Sequence, residues 1–358
     1  MKTVNRFENN CIDMECTLMQ ALENLEKVSI KVLFVLNPDG TLAASVTDGD
    51  IRRAILSGIS LDAKVCEFAK KMPMHISTEE DLDSHSKALE IMRQYGITAV
   101  PVTDDNNRIQ YLVVKEKLEN RTDRQISLPV VMMAGGKGSR LYPYTKILPK
   151  PLIPIEEVPI SERIMDSFYN AGCKEFHMIV NYKKEMIKSY YSEGDREYRV
   201  SFYDEPTPLG TGGGLKLLDG IISGTFILTN CDILILEDIP DMVDHHKERG
   251  NKATMVCSLK KYEVPYGVVK FSDGGDIESL EEKPKMSFFT NTGYYILEKD
   301  VFDYIGESEV IGMPDVLLRM QKAGLKVGVY PIGENTWLDM GQFDSMDIME
   351  RKIRNLGI

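Results

Sequence analysis

Apolar runs of about five residues alternate with helical apolar stripes through the second two thirds of the chain. Val130 to Ala134 is an unbroken apolar run closed by Gly135. So short a run predicts a buried strand and not a core helix. Residues 160–171 predict a helix with Ile164, Met165, Phe168 and Tyr169 as its stripe, stopped by Gly172. A strand over 175–180, a helix over 184–191 and a strand over 199–203 follow. Residues 225–232 read as a strand ending in an acid. Such alternation predicts an α/β, mainly parallel, doubly wound sheet.

The first 120 residues carry an internal repeat. Val32 to Leu36, the turn Asn37-Pro38-Asp39-Gly40 and residues 41–46 predict a strand, a turn and a strand. The pattern returns 67 residues later, from Ala99 through Asp104-Asp105-Asn106-Asn107 to Val114. A helix is expected after each copy. Another is expected ahead of each, over 18–28 and 84–95, the second with Ala88, Ile91 and Met92 on one face. Residues 119–125 are polar and aperiodic, which suggests a linker. The expected layout is a repeat module over 1–120, a linker over 121–128 and a larger domain over 129–358.

Charge and cysteine content narrow the function. A net charge of −12 argues against a general nucleic-acid binder. It leaves room for anionic substrates wherever local cations set the field. Six cysteines without paired spacing predict reduced thiols in a cytoplasmic protein. No apolar run reaches membrane-span length, and no secretory h-region opens the chain, so no membrane partner is expected.

Chemistry concentrates after the 130–134 strand. Gly135, Gly136 and Gly138 let backbone N–H groups converge on an anion. Lys137, Arg140, Lys146 and Lys150 add cations that suit phosphate oxygens. The spacing fits neither the Walker loop nor the dinucleotide fingerprint, where Leu141 occupies the third glycine's place. A polyphosphate cradle at the carboxyl end of a strand remains.

Gly135-Gly136-Lys137-Gly138-Ser139-Arg140-Leu141, followed by Pro149-Lys150-Pro151-Leu152, resembles the signature of sugar-1-phosphate nucleotidylyltransferases. The resemblance extends over roughly residues 129–345 and implies a Rossmann-like nucleotidyltransferase domain. It implies nucleotide contacts at Ala134, Gly135, Gly136, Gly138, Ser139, Glu205, Gly210 and Thr211. Arg140, Lys150, Asp232, Lys283 and Asp339 would be catalytic, and Asp232 and Asp339 would hold Mg²⁺. Asn181, Gly267, Glu282, Asn291 and Gly293 would line the sugar pocket. Where the family usually has glycine before the first metal-binding aspartate, this chain has Cys231, which would narrow the space beside the metal.

The segment containing Glu205 reads the nucleobase in that family. Guanine offers two adjacent donors on one edge, which a carboxylate accepts together. Uracil and thymine offer one N–H between two carbonyls, which suits an amide. Glu205 therefore favours GTP. A glutamate before a Pro-rich turn is also an ordinary exposed residue.

The N-terminal repeat resembles a tandem pair of CBS domains, an α+β module that can bind a regulatory nucleotide. The first copy carries the matching Thr47-Asp48-Gly49-Asp50, in which Thr47 and Asp50 would contact a ligand. Helix capping explains the same two residues equally well. The second copy has Val114 and Lys117 there and has lost both polar groups. A CBS pair joined to a guanylyl-type transferase resembles the glucosamine-1-phosphate guanylyltransferases of bacterial legionaminic acid synthesis, and a homo-oligomer is expected. Transfer to mannose or heptose 1-phosphate, a uridylyl or thymidylyl enzyme, and a nucleotide sensor with a lapsed transferase domain stay open.

Overall fold

A computed structural model describes residues 1–78, 84–95, 97–115, 124–193 and 196–356. The chain divides into two compact units, Met1–Arg121 and Thr122–Ile358. No helix among the described residues is long and apolar enough to cross a membrane.

The first unit contains two four-stranded sheets of matching topology. In one, Cys11–Asp13 lies parallel to Val32–Leu36, which pairs antiparallel with Leu42–Thr47 and then Lys70–Lys71. In the other, Ile76–Ser77 lies parallel to Ala99–Thr103, which pairs antiparallel with Ile109–Val114 and then Lys2–Val4. The repeat read from residues 32–47 and 99–114 is thus a repeat of structure. Val32, Phe34 and Leu42 share one buried cluster with Ala99, Leu112 and Val114. The halves are tied by Leu42 N–H donating to the Asn107 carbonyl at 2.8 Å. Asn107 Nδ2 returns a bond to the Leu42 carbonyl at 2.9 Å. Helices Leu18–Lys27, Asp48–Leu56 and Ser84–Tyr95 stand where they are expected. The helix expected after the second copy, Lys117 and residues 121–123 of the expected linker lie outside the described residues.

The second unit is built on a seven-stranded sheet. Its strands are β1 (Val130–Ala134), β2 (Glu175–Val180), β3 (Arg199–Asp204), β4 (Phe226–Asn230), β5 (Ala253–Glu263), β6 (Lys285–Leu297) and β7 (Val327–Ile332). The spatial order is β3-β2-β1-β4-β6-β5-β7, and β6 alone of the seven runs antiparallel to its neighbours. β1, β2 and β4 at the centre are buried on both faces, and β1 accordingly reads as a continuous apolar run. Val130, Met132, Phe176 and Met178 point into one core with Ile164, Phe168 and Met242. Val131, Met133 and Ile179 point into the other with Leu215, Phe302 and Val316.

The chain goes from β1 outward to β2 and β3, then returns past β1 to β4. That reversal opens a crevice beyond the carboxyl ends of β1 and β4, where open α/β sheets bind ligands. The strand expected to reach Asp232 stops at Asn230, and Cys231 and Asp232 form the turn into Ile233–Ile235. The acid therefore leaves the sheet and enters the crevice.

Candidate active site

The glycine loop after β1 is braced from within. Gly138 adopts φ +61°, and a Cβ on it would stand 2.9 Å from Thr145 Cγ2 and 3.2 Å from Lys150 Cβ. The Thr145 hydroxyl donates to the Gly138 carbonyl at 2.9 Å, and the Tyr182 hydroxyl donates to the Thr145 carbonyl at 3.1 Å. The Tyr182 brace was not readable from the sequence, because no local pattern reports a contact across 37 residues. Gly136, Lys137, Ser139 and Arg140 are exposed in the loop, while Ala134 is buried at the end of β1.

Two acids meet across a small ribbon. Ile233–Ile235 pairs antiparallel with Trp337–Asp339, placing Ile233 opposite Asp339, and Met340 N–H donates to the Asp232 carbonyl at 2.9 Å. Lys150 forms an ion pair with Asp232, with both side chains nearly buried. Burial, and then the Asp232 charge, push the Asp339 carboxyl up, while Lys150 and Arg140 pull it back. The two acids and two cations predicted from separate segments thus form one electrostatic group. The Cys231 thiol beside them is buried and pushed up to about 12, chiefly by desolvation. It stays neutral near pH 7 and behaves as a small apolar side chain.

Glu205 follows β3 and is only 6% exposed. Its Oε1 accepts from Leu209 N–H at 3.3 Å. A Cβ on Gly135 would stand 2.4 Å from Glu205 Oε2, and one on Gly214 would stand 2.7 Å from Oε1. Asn181 joins the group, its Nδ2 donating to the Glu205 carbonyl at 2.9 Å. Burial raises the Glu205 carboxyl pKa, partly offset by the Leu209 amide. The adjacent Asp204 shifts the other way, held low by hydrogen bonds from Lys188 and Lys184. Among the described residues Glu205 has no such cation. Gly214 was not singled out from the sequence, although it closes a run of three glycines.

A model of the nucleotidyl transferase family matches residues 129–355. The chain belongs to that family. A CBS domain model also matches, over residues 76–118. A UTP–glucose-1-phosphate uridylyltransferase of Synechocystis sp. is 30% identical over 64% of this chain and 66% of its own length. A mannose-1-phosphate guanyltransferase of Saccharomyces cerevisiae is 28% identical over 59% of this chain and 61% of its own. The chain spans somewhat under two thirds of the length of these relatives. HddC from Yersinia pseudotuberculosis shares the fold, with a TM-score of 0.50 and 22% identity over 63% of this chain and 99% of that one.

The remaining predicted positions of this nucleotidyl transferase divide into three groups. Gly293, at φ +81°, lies against Asn230 at the end of β4, and a Cβ there would stand 2.4 Å from Asn230 Nδ2. Asn291 Oδ1 accepts from Gly293 N–H at 2.9 Å, while its Nδ2 bonds the Tyr295 hydroxyl at 2.6 Å. These two therefore border the β4 end of the crevice. Gly267 and Glu282 meet on the hairpin Val268–Phe271/Ile277–Glu281, where a Cβ on Gly267 would stand 2.9 Å from Glu282 Oε2. Lys283 follows them, exposed and at φ +48°.

Gly210 and Thr211 pack against the 311–313 backbone. Gly210, at φ +81°, would place a Cβ 2.6 Å from the Ile311 carbonyl oxygen. The Thr211 hydroxyl accepts from Met313 N–H at 3.1 Å, at the start of helix Met313–Lys322. In this structure the two residues fix that helix.

In the first unit, Thr47 and Asp50 form a reciprocal capping box. Thr47 Oγ1 accepts from Asp50 N–H at 3.2 Å, and Asp50 Oδ2 accepts from Thr47 N–H at 2.9 Å. Asp50 also pairs with Arg53. Thr47 and Asp50 thus serve the cap of helix Asp48–Leu56.

Proposed function

We propose that the chain transfers a nucleoside monophosphate, favouring GMP from GTP, to a sugar 1-phosphate, releasing pyrophosphate. The observation that carries this reading is the Lys150–Asp232 pair with Asp339 held against it, beside a glycine loop at the switch point of the sheet. A phosphate oxygen of the sugar phosphate forms the new bond to the α-phosphorus. The bond from that phosphorus to the β-bridging oxygen breaks, and pyrophosphate leaves with its electron pair. The attacking phosphate is already largely ionised near neutral pH, so no general base is required.

The main task is then to bring two anions together and neutralise their charge. The glycine-loop amides and Arg140 receive the β- and γ-phosphates. Lys150 shifts from Asp232 to a reacting phosphate, and Lys283 steadies the sugar phosphate. Asp232 and Asp339 suit Mg²⁺. Among the described residues no cluster of three or more His, Cys, Asp or Glu could hold a metal. Two carboxylates fit an ion that keeps several waters and takes its other ligands from phosphates. Bound there, Mg²⁺ would supply charge neutralisation between the phosphates.

Glu205 supports guanine, because its carboxylate has no cationic partner among the described residues and can accept two donors. Similarity to mannose-1-phosphate guanyltransferases supports the same base, and the uridylyltransferase relative makes the choice worth measuring. The CBS module supports a regulatory nucleotide and, by resemblance, glucosamine 1-phosphate as the sugar, for legionaminic acid synthesis. Six free thiols support a reducing, cytoplasmic setting.

The test is pyrophosphate release from each NTP paired with glucosamine, mannose, heptose and glucose 1-phosphates, with Mg²⁺. GTP with glucosamine 1-phosphate is expected to turn over fastest. A preference for UTP overturns the reading of Glu205. Silence across the panel, with nucleotide still bound by the first unit, overturns the transferase in favour of a sensor.

A further inference from the structure

Lys183 adopts φ +52° and ψ +34°, in the left-handed region that residues other than glycine avoid. It is also the N-cap of helix Lys184–Ser192, a place that favours Ser, Thr, Asp or Asn, and its side chain does not cap that helix. The residue is thus locally unfavourable on two counts. Such positions persist where the surrounding structure imposes them, and they concentrate at functional sites.

The side chain reaches across to the segment that follows the phosphate loop. Lys183 Nζ donates to the carbonyls of Lys146 and Ile147, at 2.8 and 2.9 Å. These are the last carbonyls of helix Tyr144–Ile147, which have no partner within the helix and suit an ammonium. That helix is a single turn, too short to be stable by itself in water. It lies between Arg140 and Lys150 in the chain, so its placement governs both cations. The residues before Lys183 reach the rest of the site. Tyr182 N–H donates to the Gly135 carbonyl at 3.3 Å, and its hydroxyl donates to the Thr145 carbonyl at 3.1 Å. Asn181 Nδ2 donates to the Glu205 carbonyl at 2.9 Å. Three consecutive residues after β2 therefore tie together the glycine loop, the 144–147 turn and the carboxylate at 205.

We propose that Lys183 is a positioning residue for the transfer reaction. Its ammonium pins the 144–147 turn and, through that turn, sets Arg140 and Lys150 where they meet the reacting phosphates. The inference rests on the transferase function proposed above. Lys183 touches no reacting atom; it acts through the backbone that carries the two cations. Misplacing a reacting group by about 1 Å costs on the order of 100-fold in rate. The charge those cations neutralise is concentrated between the phosphates in the transition state, so the loss falls on kcat more than on KM.

The full chain is compared with Lys183→Met, Lys183→Gly and Lys183→Arg in pyrophosphate release, with each substrate varied in turn. Lys183→Met removes the donors and keeps the apolar stem. Lys183→Gly removes the donors and relaxes the backbone. Both are expected to lose at least about tenfold in kcat, with KM for either substrate changed by less than about threefold. Lys183→Arg, whose guanidinium offers several donors, is expected to recover most of that loss. Unchanged kcat in Lys183→Met overturns the proposal. Parental kcat in Lys183→Gly also overturns it, because the backbone and not the ammonium would then matter. A lower melting temperature with parental kcat per folded molecule assigns Lys183 to stability alone and overturns it too. A parent silent with every substrate is a failure of the transferase function, and amide exchange then decides whether Lys183 pins the turn. The N–H groups of Leu141, Tyr142, Lys146 and Leu148 all bond within residues 138–148. Exchange there at least about tenfold faster in Lys183→Met than in the parent supports the pinning, and equal rates overturn it.

Discussion

The Glu205 carboxylate lies where a side chain on Gly135 would begin, with Oε2 2.4 Å from the position of that missing Cβ. One residue follows the strand that leads into the phosphate loop, and the other follows the strand at the sheet's edge. Their contact locks the loop that would hold the triphosphate to the carboxylate that would read the base.

Gly135→Ala therefore has no room. The clashing oxygen belongs to a buried side chain held by Leu209 N–H, and Asn181 Cβ closes the other side at 3.3 Å. Overpacking of this kind costs about 1–3 kcal/mol. We expect kcat/KM for the nucleotide to fall at least tenfold while the far-UV spectrum is retained. Gly224→Ala is the matched control, because a Cβ there meets nothing within 4 Å. Equal behaviour of the two variants in steady-state assays would show that the contact is not functional.

Glu205→Gln tests the base. An amide offers one donor and one acceptor, so it suits uracil better than guanine. Losing a bidentate pair is worth about 1–3 kcal/mol, or roughly 5- to 150-fold in GTP over UTP preference. The sign of the pH effect follows from burial, which raises the Glu205 pKa. Above that pKa the carboxylate accepts both guanine donors. As pH falls through it, the group takes a proton and loses one acceptor, so kcat/KM for GTP declines on the acid side. That acid limb should vanish in the Gln variant, and pH profiles with GTP and UTP check it.

The sheet was legible because strands buried on both faces leave apolar runs, unbroken at Val130–Ala134 and interrupted by His177 alone over 176–180. The two-residue strands Lys70–Lys71 and Ile76–Ser77 left no such run. Arg140, Lys150, Asp232 and Asp339 could be singled out by motif, yet their meeting could not. It depends on Ile233–Ile235 pairing with a strand about a hundred residues away. The Thr211 hydroxyl likewise accepts from the Met313 amide, a partner that no local pattern reveals.

The capping box at Thr47 and Asp50 makes a prediction that needs no ligand. Removing an N-cap hydroxyl costs about 0.5–2 kcal/mol. Thr47→Ala should destabilise the first unit by about 1 kcal/mol in denaturant titrations without nucleotide. A purely ligand-binding Thr47 would leave that midpoint unchanged and alter only the shift caused by added adenine nucleotide.

The last prediction concerns the two acids. Burial and the Asp232 charge raise the folded pKa of Asp339, so near neutral pH its ionised form costs stability. The linkage runs in one direction. Below the unfolded carboxyl pKa this cost is absent, it grows as pH rises through the folded pKa, and it is complete above it. Asp339→Asn removes the ionisation, so at pH 8 without divalent ions the second unit's melting temperature should rise by roughly 1–3 °C. In the unsubstituted chain Mg²⁺ should stabilise by pairing both carboxylates, and in the variant that gain should shrink strongly. Calorimetry with and without Mg²⁺ at pH 5 and pH 8 separates the effects. Equal Mg²⁺-dependent shifts in both proteins would remove Asp339 from the metal site, and a variant less stable than the parent at pH 8 would show that its carboxylate is needed for the fold.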